Sequence, residues 1–311
     1  MRHPYDRKSA SLMTRSATKK VPSDRRGFWS MFTNLGGAVA SLLSLGTFFV
    51  ADLVMSEADF LSYGWRIPFL LSGLLMLFGL WMRLTLAETP VFEQEKATSG
   101  HTQLPFVEAV RRQWREILLG AGALLMPFAL YYMGGSYLIS YGTTALSLDS
   151  SSVLAAAVVG TVTLGIGVVA GGTLSDRVGR RTVILTASTV GCAWCLVLFP
   201  LLDTGSLVIF WVGLCISTLI SGFAYGVAGS YLSELFETRY RYTAAAIAYS
   251  LAAIFGGAMP PLVAASVTAA FGSYGLSVLL ALLSLTSAIC VFVVRETSQR
   301  DLADIAAPAV S

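Results

Sequence analysis

Three arginines and one aspartate fall within eleven residues, Gly171-Gly172-Thr173-Leu174-Ser175-Asp176-Arg177-Val178-Gly179-Arg180-Arg181, between two long uncharged stretches. Asp176 is placed to cap the backbone amides that follow it and to pair with Arg177, Arg180 or Arg181. Gly179 permits the positive φ that a tight reversal requires. Two readings of this turn stand: a solvated basic loop, or a latch whose ion pairs form and break. Glu234 with Arg239 and Arg241 makes a second cluster of the same kind. The chemistry open to these groups is reversible ion pairing. The sequence offers no Ser/His/Asp set, no glycine loop on a strand to cradle phosphate and no metal-ligand cluster, so it reads as neither an enzyme nor a binder of cofactor or metal. Cys192 and Cys195 form a C-x-x-C, a redox or metal pair in other settings. Here they lie within an apolar stretch and are expected to pack as small hydrophobes.

A second set of chemically able residues lies inside the apolar stretches themselves. Tyr131, Tyr132, Tyr137, Ser221, Tyr225 and Asn34 are the candidate contacts for a small-molecule substrate. Tyrosine hydroxyls can hydrogen-bond a solute carboxylate while their rings wall off lipid. Tyr137 and Tyr141 share one helix face at i,i+4 and also fit an interfacial aromatic belt. No Asp, Glu, His, Lys or Arg lies deep in any of these stretches. Intramembrane ionisable groups are what proton relays use, which leaves the helix ends at Asp52, Asp176 or Glu234 for that role.

The elements that hold these residues follow from hydropathy. Of 311 residues, 55% are hydrophobic and only 13% charged, too few charges to cover a water-soluble chain of this size. Uncharged or nearly uncharged runs at 28–50, 67–86, 117–141, 153–174, 182–202 and 206–232 each match the ~20 apolar residues of a bilayer-crossing helix. Residues 242–294 carry no charge over 53 residues, and at ~1.5 Å per residue that run is too long for one crossing. It is expected to double back at Phe271-Gly272-Ser273-Tyr274-Gly275, giving eight transmembrane helices in an all-α polytopic protein. The loops alternate in charge: 20 of the 21 Lys and Arg fall on one side, and only Arg66 on the other. By the positive-inside rule both termini and the 171–181 turn are cytoplasmic, in an inner (plasma) membrane. The net charge of +3 therefore follows membrane sidedness; the partner is the lipid bilayer, not nucleic acid. Residues 1–26 have no apolar signal core and read as a disordered basic head, 87–116 as a cytoplasmic linker and 295–311 as a tail. Gly167/Gly171 and Gly222/Gly226 are spaced to let helix backbones approach. Pro127 and Pro260-Pro261 are expected to bend their helices, with neighbours satisfying the freed carbonyls.

The turn G-G-T-L-S-D-R-V-G-R-R resembles the loop signature of the major facilitator superfamily, which joins the second and third helices of each six-helix half. Arg25-Arg26-Gly27-Phe28, Gly64-Trp65-Arg66-Ile67-Pro68-Phe69-Leu70, Glu88-Thr89-Pro90-Val91-Phe92 and Glu234-Leu235-Phe236-Glu237-Thr238-Arg239-Tyr240-Arg241-Tyr242-Thr243 are similar to its metabolite–proton symporter branch. That resemblance implies a complete six-helix C-terminal half over 117–294, preceded over 27–86 by the last two helices of an N-terminal half whose first four are lacking. It implies a substrate cavity lined by the third and sixth spans, and a cytoplasmic gating loop of Gly172, Asp176, Arg177, Gly179, Arg180, Arg181, Glu234, Arg239 and Arg241. The function implied is proton-coupled symport of a small carboxylated metabolite or compatible solute, truncated here and without concentrative uptake when isolated. Two other readings stay open: a non-transporting membrane remnant with a partner-binding or sensory role, and a coding start upstream of Met1. The sequence fixes no oligomeric state.

Overall fold

Backbone N–H and C=O groups have no water to bond in hydrocarbon, so apolar runs of this kind resolve their polar backbone as helices. The computed structural model describes residues 26–85, 105–237 and 240–294, and every regular element among them is helical. Among the described residues seven helices are long and apolar enough to cross a membrane: α1 (Gly27–Val54), α2 (Phe60–Thr85), α3 (Phe106–Thr144), α4 (Ser150–Val178), α5 (Arg180–Leu202), α6 (Leu207–Leu235) and α7 (Arg241–Val293). The head to residue 25, Leu86 with residues 87–104 of the expected linker, the tail and Arg239 lie outside the described residues.

The longest helix holds the expected eighth crossing. Gly272 adopts φ 70° and ψ −176° within α7, a backbone that L side chains rarely take. The chain reverses there. On the first arm Gly256 abuts the backbone of Leu125 and Thr268 lies 3.4 Å from the Tyr137 hydroxyl, so it runs parallel to α3. On the second arm Ser287 is back beside Ala123 and Cys290 beside Gly122.

The third helix departs from expectation at its start. The polar stretch assigned to the linker as far as Glu116 is already helical from Pro105, with a bend at Gln113 (φ −120°, ψ 27°). Charged side chains concentrate on one side of this turn of chain, which amphipathic packing tolerates and a hydropathy reading truncates. Farther along, Pro127 has no N–H to offer the carbonyl of Ala123, and the hydroxyl of Ser287 donates to that carbonyl at 2.5 Å. A π-helical turn, Met133–Tyr137, follows it, and a second, Ala253–Ala258, precedes Pro260-Pro261 in α7.

Backbone-to-backbone packing gathers at α4 and α6, an extensive helix pair. A Cβ on Gly171 would lie 2.0 Å from the Phe223 carbonyl oxygen, and one on Gly222 would lie 2.2 Å from that of Leu164. These two glycines let the backbones meet directly, as the four-residue spacing implies. Helix α5 packs along the second arm of α7 through Ser188–Ser287 and Cys195–Ser284. The main buried apolar cluster lies wholly between Ile117 and Val294. Helix α1 docks on the outside of that bundle along α4 and α6. Helix α2 stands apart: no residue of its Arg66–Thr85 portion is buried, and Phe69, Leu70, Leu74, Met76 and Trp81 are 61–72% exposed.

Candidate functional site

The charged turn is built at the junction of four helix ends. Gly179 (φ 92°, ψ 152°) ends α4 and starts α5 without an intervening loop, a sharp reversal that leaves Arg180 within 3.1 Å of Asp176. Contrary to expectation, Asp176 does not cap the amides that follow it: α5 receives no side-chain cap. It turns instead to the start of α1, where Gly27 N–H donates to its Oδ1 at 2.8 Å and Phe28 N–H to its Oδ2 at 2.9 Å. A carboxylate at a helix N-terminus meets both unpaired donors and the positive end of the dipole. Gly27 allows this approach, since a Cβ there would lie 2.3 Å from Ser175 Oγ. Arg180, 3% exposed, then lies between two acids, with Nη2 3.1 Å from Asp176 and Nε 3.4 Å from Glu234 on α6. Buried charge of this kind persists only when paired.

The remaining expected latch residues divide. Arg181 reaches the end of α7, donating from Nε to the Val291 carbonyl at 3.2 Å and from Nη2 to that of Phe292 at 2.7 Å. Gly172 is a packing position against Met31 of α1, and Gly179 supplies the positive φ. Arg177 is exposed. Arg241 begins α7, partly buried.

Halfway along the helices, a cavity of about 370 Å³ opens between α1 and a wall made by α3, α4 and α6. Ser41, Ser44, Tyr131, Tyr132, Thr161 and Thr218 line it, with Gly134, Gly135 and Ser136 from the π-helical turn of α3. The Tyr131 hydroxyl and Ser41 Oγ are 2.6 Å apart across the α1–α3 gap. Tyr131 stands perpendicular to Tyr132 with ring centroids 5.2 Å apart, and lies parallel to Tyr225 at 6.3 Å. Behind them Tyr225 and Tyr249 share a hydrogen bond of 2.5 Å and Phe128 packs edge-on to both. A broader groove of about 600 Å³ between Phe106 and Tyr242 on α3 and α7 contains none of the expected residues.

Of the six expected solute contacts, Tyr131 and Tyr132 face this cavity and Tyr225 backs it. The other three sit elsewhere. Asn34 donates from Nδ2 to the Tyr225 carbonyl at 2.7 Å, fastening α1 to α6. Ser221 is fully buried and donates to the Pro127 carbonyl at 2.6 Å. Tyr137 packs with Tyr141 and Phe199 near the far end of α3. Helix-interior hydroxyls are drawn to backbone carbonyls whenever one is in reach, so polarity inside a span does not by itself mark a solute contact.

Sequence reasoning missed Ser41, Ser44 and Thr161 in the cavity; the one available signal was the i,i+3 spacing of the two serines on an uncharged helix. It also missed Asp203, which accepts from the hydroxyls of Tyr141 and Ser273 and so ties α3, α5 and the α7 reversal together. Nearby, Ser151 Oγ donates to Asp52 at 2.6 Å and joins the end of α1 to the start of α4. The C-x-x-C pair packs: Cys195 is buried and 3.8 Å from Ser284.

Comparison with known proteins gives a consistent picture. The profile of the Major Facilitator Superfamily matches residues 10–261 and 170–308. The chain is 29% identical over 291 residues to the inner membrane metabolite transport protein YhjE of Escherichia coli K12, covering 92% of this chain and 66% of that protein. It is 28% identical over 302 residues to the shikimate transporter of the same organism, covering 91% and 66%. It is 30% identical over 254 residues to the proline/betaine transporter of Escherichia coli K12, covering 78% and 50%. The chain thus spans between one half and two thirds of the length of these relatives.

Proposed function

Because the chain belongs to the major facilitator superfamily, and is with it a multi-pass membrane protein, we propose that it is a secondary active transporter of a small polar metabolite. The solute is a carboxylated metabolite or compatible solute, moved with protons across an inner membrane. The observation that carries this reading is the hydroxyl-lined cavity at mid-depth between α1 and the α3–α4–α6 wall. A site at the midplane, between an element that can tilt and a bundle with its own core, is the arrangement alternating access uses. In this reading residues 27–86 supply the closing helices of one half and 117–294 the other half. The Asp176–Arg180–Glu234 cluster is the cytoplasmic latch, sided by the arginine bias of its loops. Carboxylates bond across the α1 interface at both ends, Asp176 to the Gly27 and Phe28 amides and Asp52 to the Ser151 hydroxyl, so opening at either end breaks a carboxylate contact.

A cysteine at Ser44 tests the access cycle. In vesicles of both orientations carrying the full chain, a membrane-impermeant thiol reagent should reach Ser44→Cys from either face. A saturating solute should shift the balance between the two. Labelling from one face only, unchanged by any solute, would refute a transport cavity and favour the non-transporting membrane role.

A further inference from the structure

One wall of the cavity is positioned from behind, by a helix that does not reach the lining. Tyr132 is 40% exposed and lines the space. Phe128 lies nearly parallel to its ring, with centroids 6.3 Å apart and planes 14° from parallel, and Tyr131 stands perpendicular at 5.2 Å. The third neighbour is Gly257, buried in the π-helical turn Ala253–Ala258 of α7. A Cβ at Gly257 would lie 2.7 Å from Cδ2 of Tyr132 and 2.8 Å from Cε2. Among the described residues, α7 contributes none to the cavity lining.

Carbon atoms in contact settle about 3.5–4.0 Å apart, so a methyl group at position 257 demands about 1 Å of movement. Either α7 or the ring must give way. Helix α7 is held in place by the next glycine: a Cβ on Gly256 would lie 2.6 Å from the Leu125 carbonyl oxygen and 2.9 Å from its Cα, so the two backbones are already in contact. Moving α7 outward forfeits that contact. The Tyr132 side chain turns about two torsions instead, and its open side is the cavity. The ring therefore advances and the space shrinks. We propose that Gly257 sets the largest solute the cavity admits, as a positioning residue that acts through Tyr132 and touches no solute itself. This rests on the reading of the cavity as the solute site, and adds to it a size limit that resides outside the lining.

The test uses the full chain in lipid nanodiscs, with Cys192, Cys195, Cys215 and Cys290 replaced by alanine and a cysteine placed at Thr161, which is 7% exposed and lines the cavity. The rate of modification of Thr161→Cys is measured with methyl methanethiosulfonate and with the bulkier benzyl methanethiosulfonate. Gly257→Ala should slow the benzyl reagent about tenfold or more, the scale of an overpacked contact, and the methyl reagent by less than about twofold. Gly257→Ala combined with Tyr132→Ala should recover the benzyl rate of Tyr132→Ala alone. Gly36→Ala, where a Cβ meets nothing within 4 Å, should leave both rates unchanged. An undiminished benzyl rate in Gly257→Ala, an equal fall with both reagents, or a loss that Tyr132→Ala fails to restore would each overturn the inference. So would a double variant that does not fold, because the glycine would then answer to the α3 backbone and not to the ring. If Thr161→Cys reacts with neither reagent while Gly257 is intact, the cavity is closed to solutes and the transport-cavity reading falls with the inference. If it reacts with both and Gly257→Ala changes neither rate, the cavity stands and only the inference falls.

Discussion

Neutralising Asp176 should loosen the start of α1 from the bundle, and the structure sets how far. The carboxylate receives two N–H groups at 2.8 and 2.9 Å and one guanidinium nitrogen at 3.1 Å. Losing a capping side chain costs about 0.5–2 kcal/mol, and losing a negative charge at a helix N-terminus about 0.3–1 kcal/mol. Arg180 keeps Glu234 at 3.4 Å, so the penalty stays below the about 3–5 kcal/mol of an orphaned buried charge. Asp176→Asn, which retains an acceptor oxygen, should then cost about 1–2 kcal/mol, raising the undocked population of α1 roughly 5- to 30-fold. Met31 reports this directly. It is 3% exposed against Gly172, so a cysteine there reacts only when α1 lifts. In a background with Cys192, Cys195, Cys215 and Cys290 replaced by alanine, the maleimide labelling rate of Met31→Cys should rise by that factor on Asp176→Asn. Arg177→Gln, at an exposed position of the same turn, should leave it within about twofold, in line with surface substitutions. Labelling of the Asp176→Asn protein no faster than that of Arg177→Gln would refute the assignment of Asp176 as the clasp of α1.

Two further outcomes follow from the packing. Gly171→Ala places a methyl 2.0 Å from the Phe223 oxygen, so α4 and α6 must separate; thermal stability in detergent should fall by the about 1–3 kcal/mol of an overpacked contact, whereas Gly36→Ala, with nothing within 4 Å, should be neutral. Ser287→Ala strips the donor from the Ala123 carbonyl and should cost about 1–3 kcal/mol in denaturant unfolding, but less in a Pro127→Ala background, where the restored N–H replaces it; equal losses in both backgrounds would mean the serine does not answer the proline.

The sequence foretold the fold more fully than the site, for physical reasons. Charge-free runs, the 53-residue stretch and Gly272 within it are one-dimensional signals of membrane depth and chain reversal, and each found its helix or turn. The start of α3 was missed because a helix at a membrane surface stays helical while carrying Glu108, Arg111 and Arg112, and hydropathy registers only where polarity ends. The glycine spacings were readable because backbone contact admits no other residue. The direction of a side chain was not. Asp176 had several possible partners within reach in sequence and takes one of them, Arg180, but the backbone amides it also binds begin 149 residues away. Ser221 and Thr161 look alike as hydroxyls in apolar helices; only the rotation of each helix about its axis separates the one that staples Pro127 from the one that lines the cavity.

The three levels at which α1 meets the bundle are unequal, and the inequality gives the molecule a direction. At the Arg-rich end, two backbone amides and a buried arginine converge on one carboxylate. At mid-depth, Asn34 and Ser41 each make one neutral bond, to the Tyr225 carbonyl and to Tyr131. At the far end, among the described residues, a single bond from Ser151 to Asp52 remains. One charge-assisted hydrogen bond contributes about 1.5–3 kcal/mol, and several sharing a buried charge are coupled beyond their sum. A tilt of α1 that pivots on the Arg-rich end therefore breaks the fewest bonds, opening the cavity past Ser44 toward Asp52 and Ser151. On the proposed transport cycle, the opposite opening must break the Asp176 clasp, so ion pairing at that cluster governs the harder of the two steps. The proposed latch thus coincides with the end where the fold itself supplies the larger barrier.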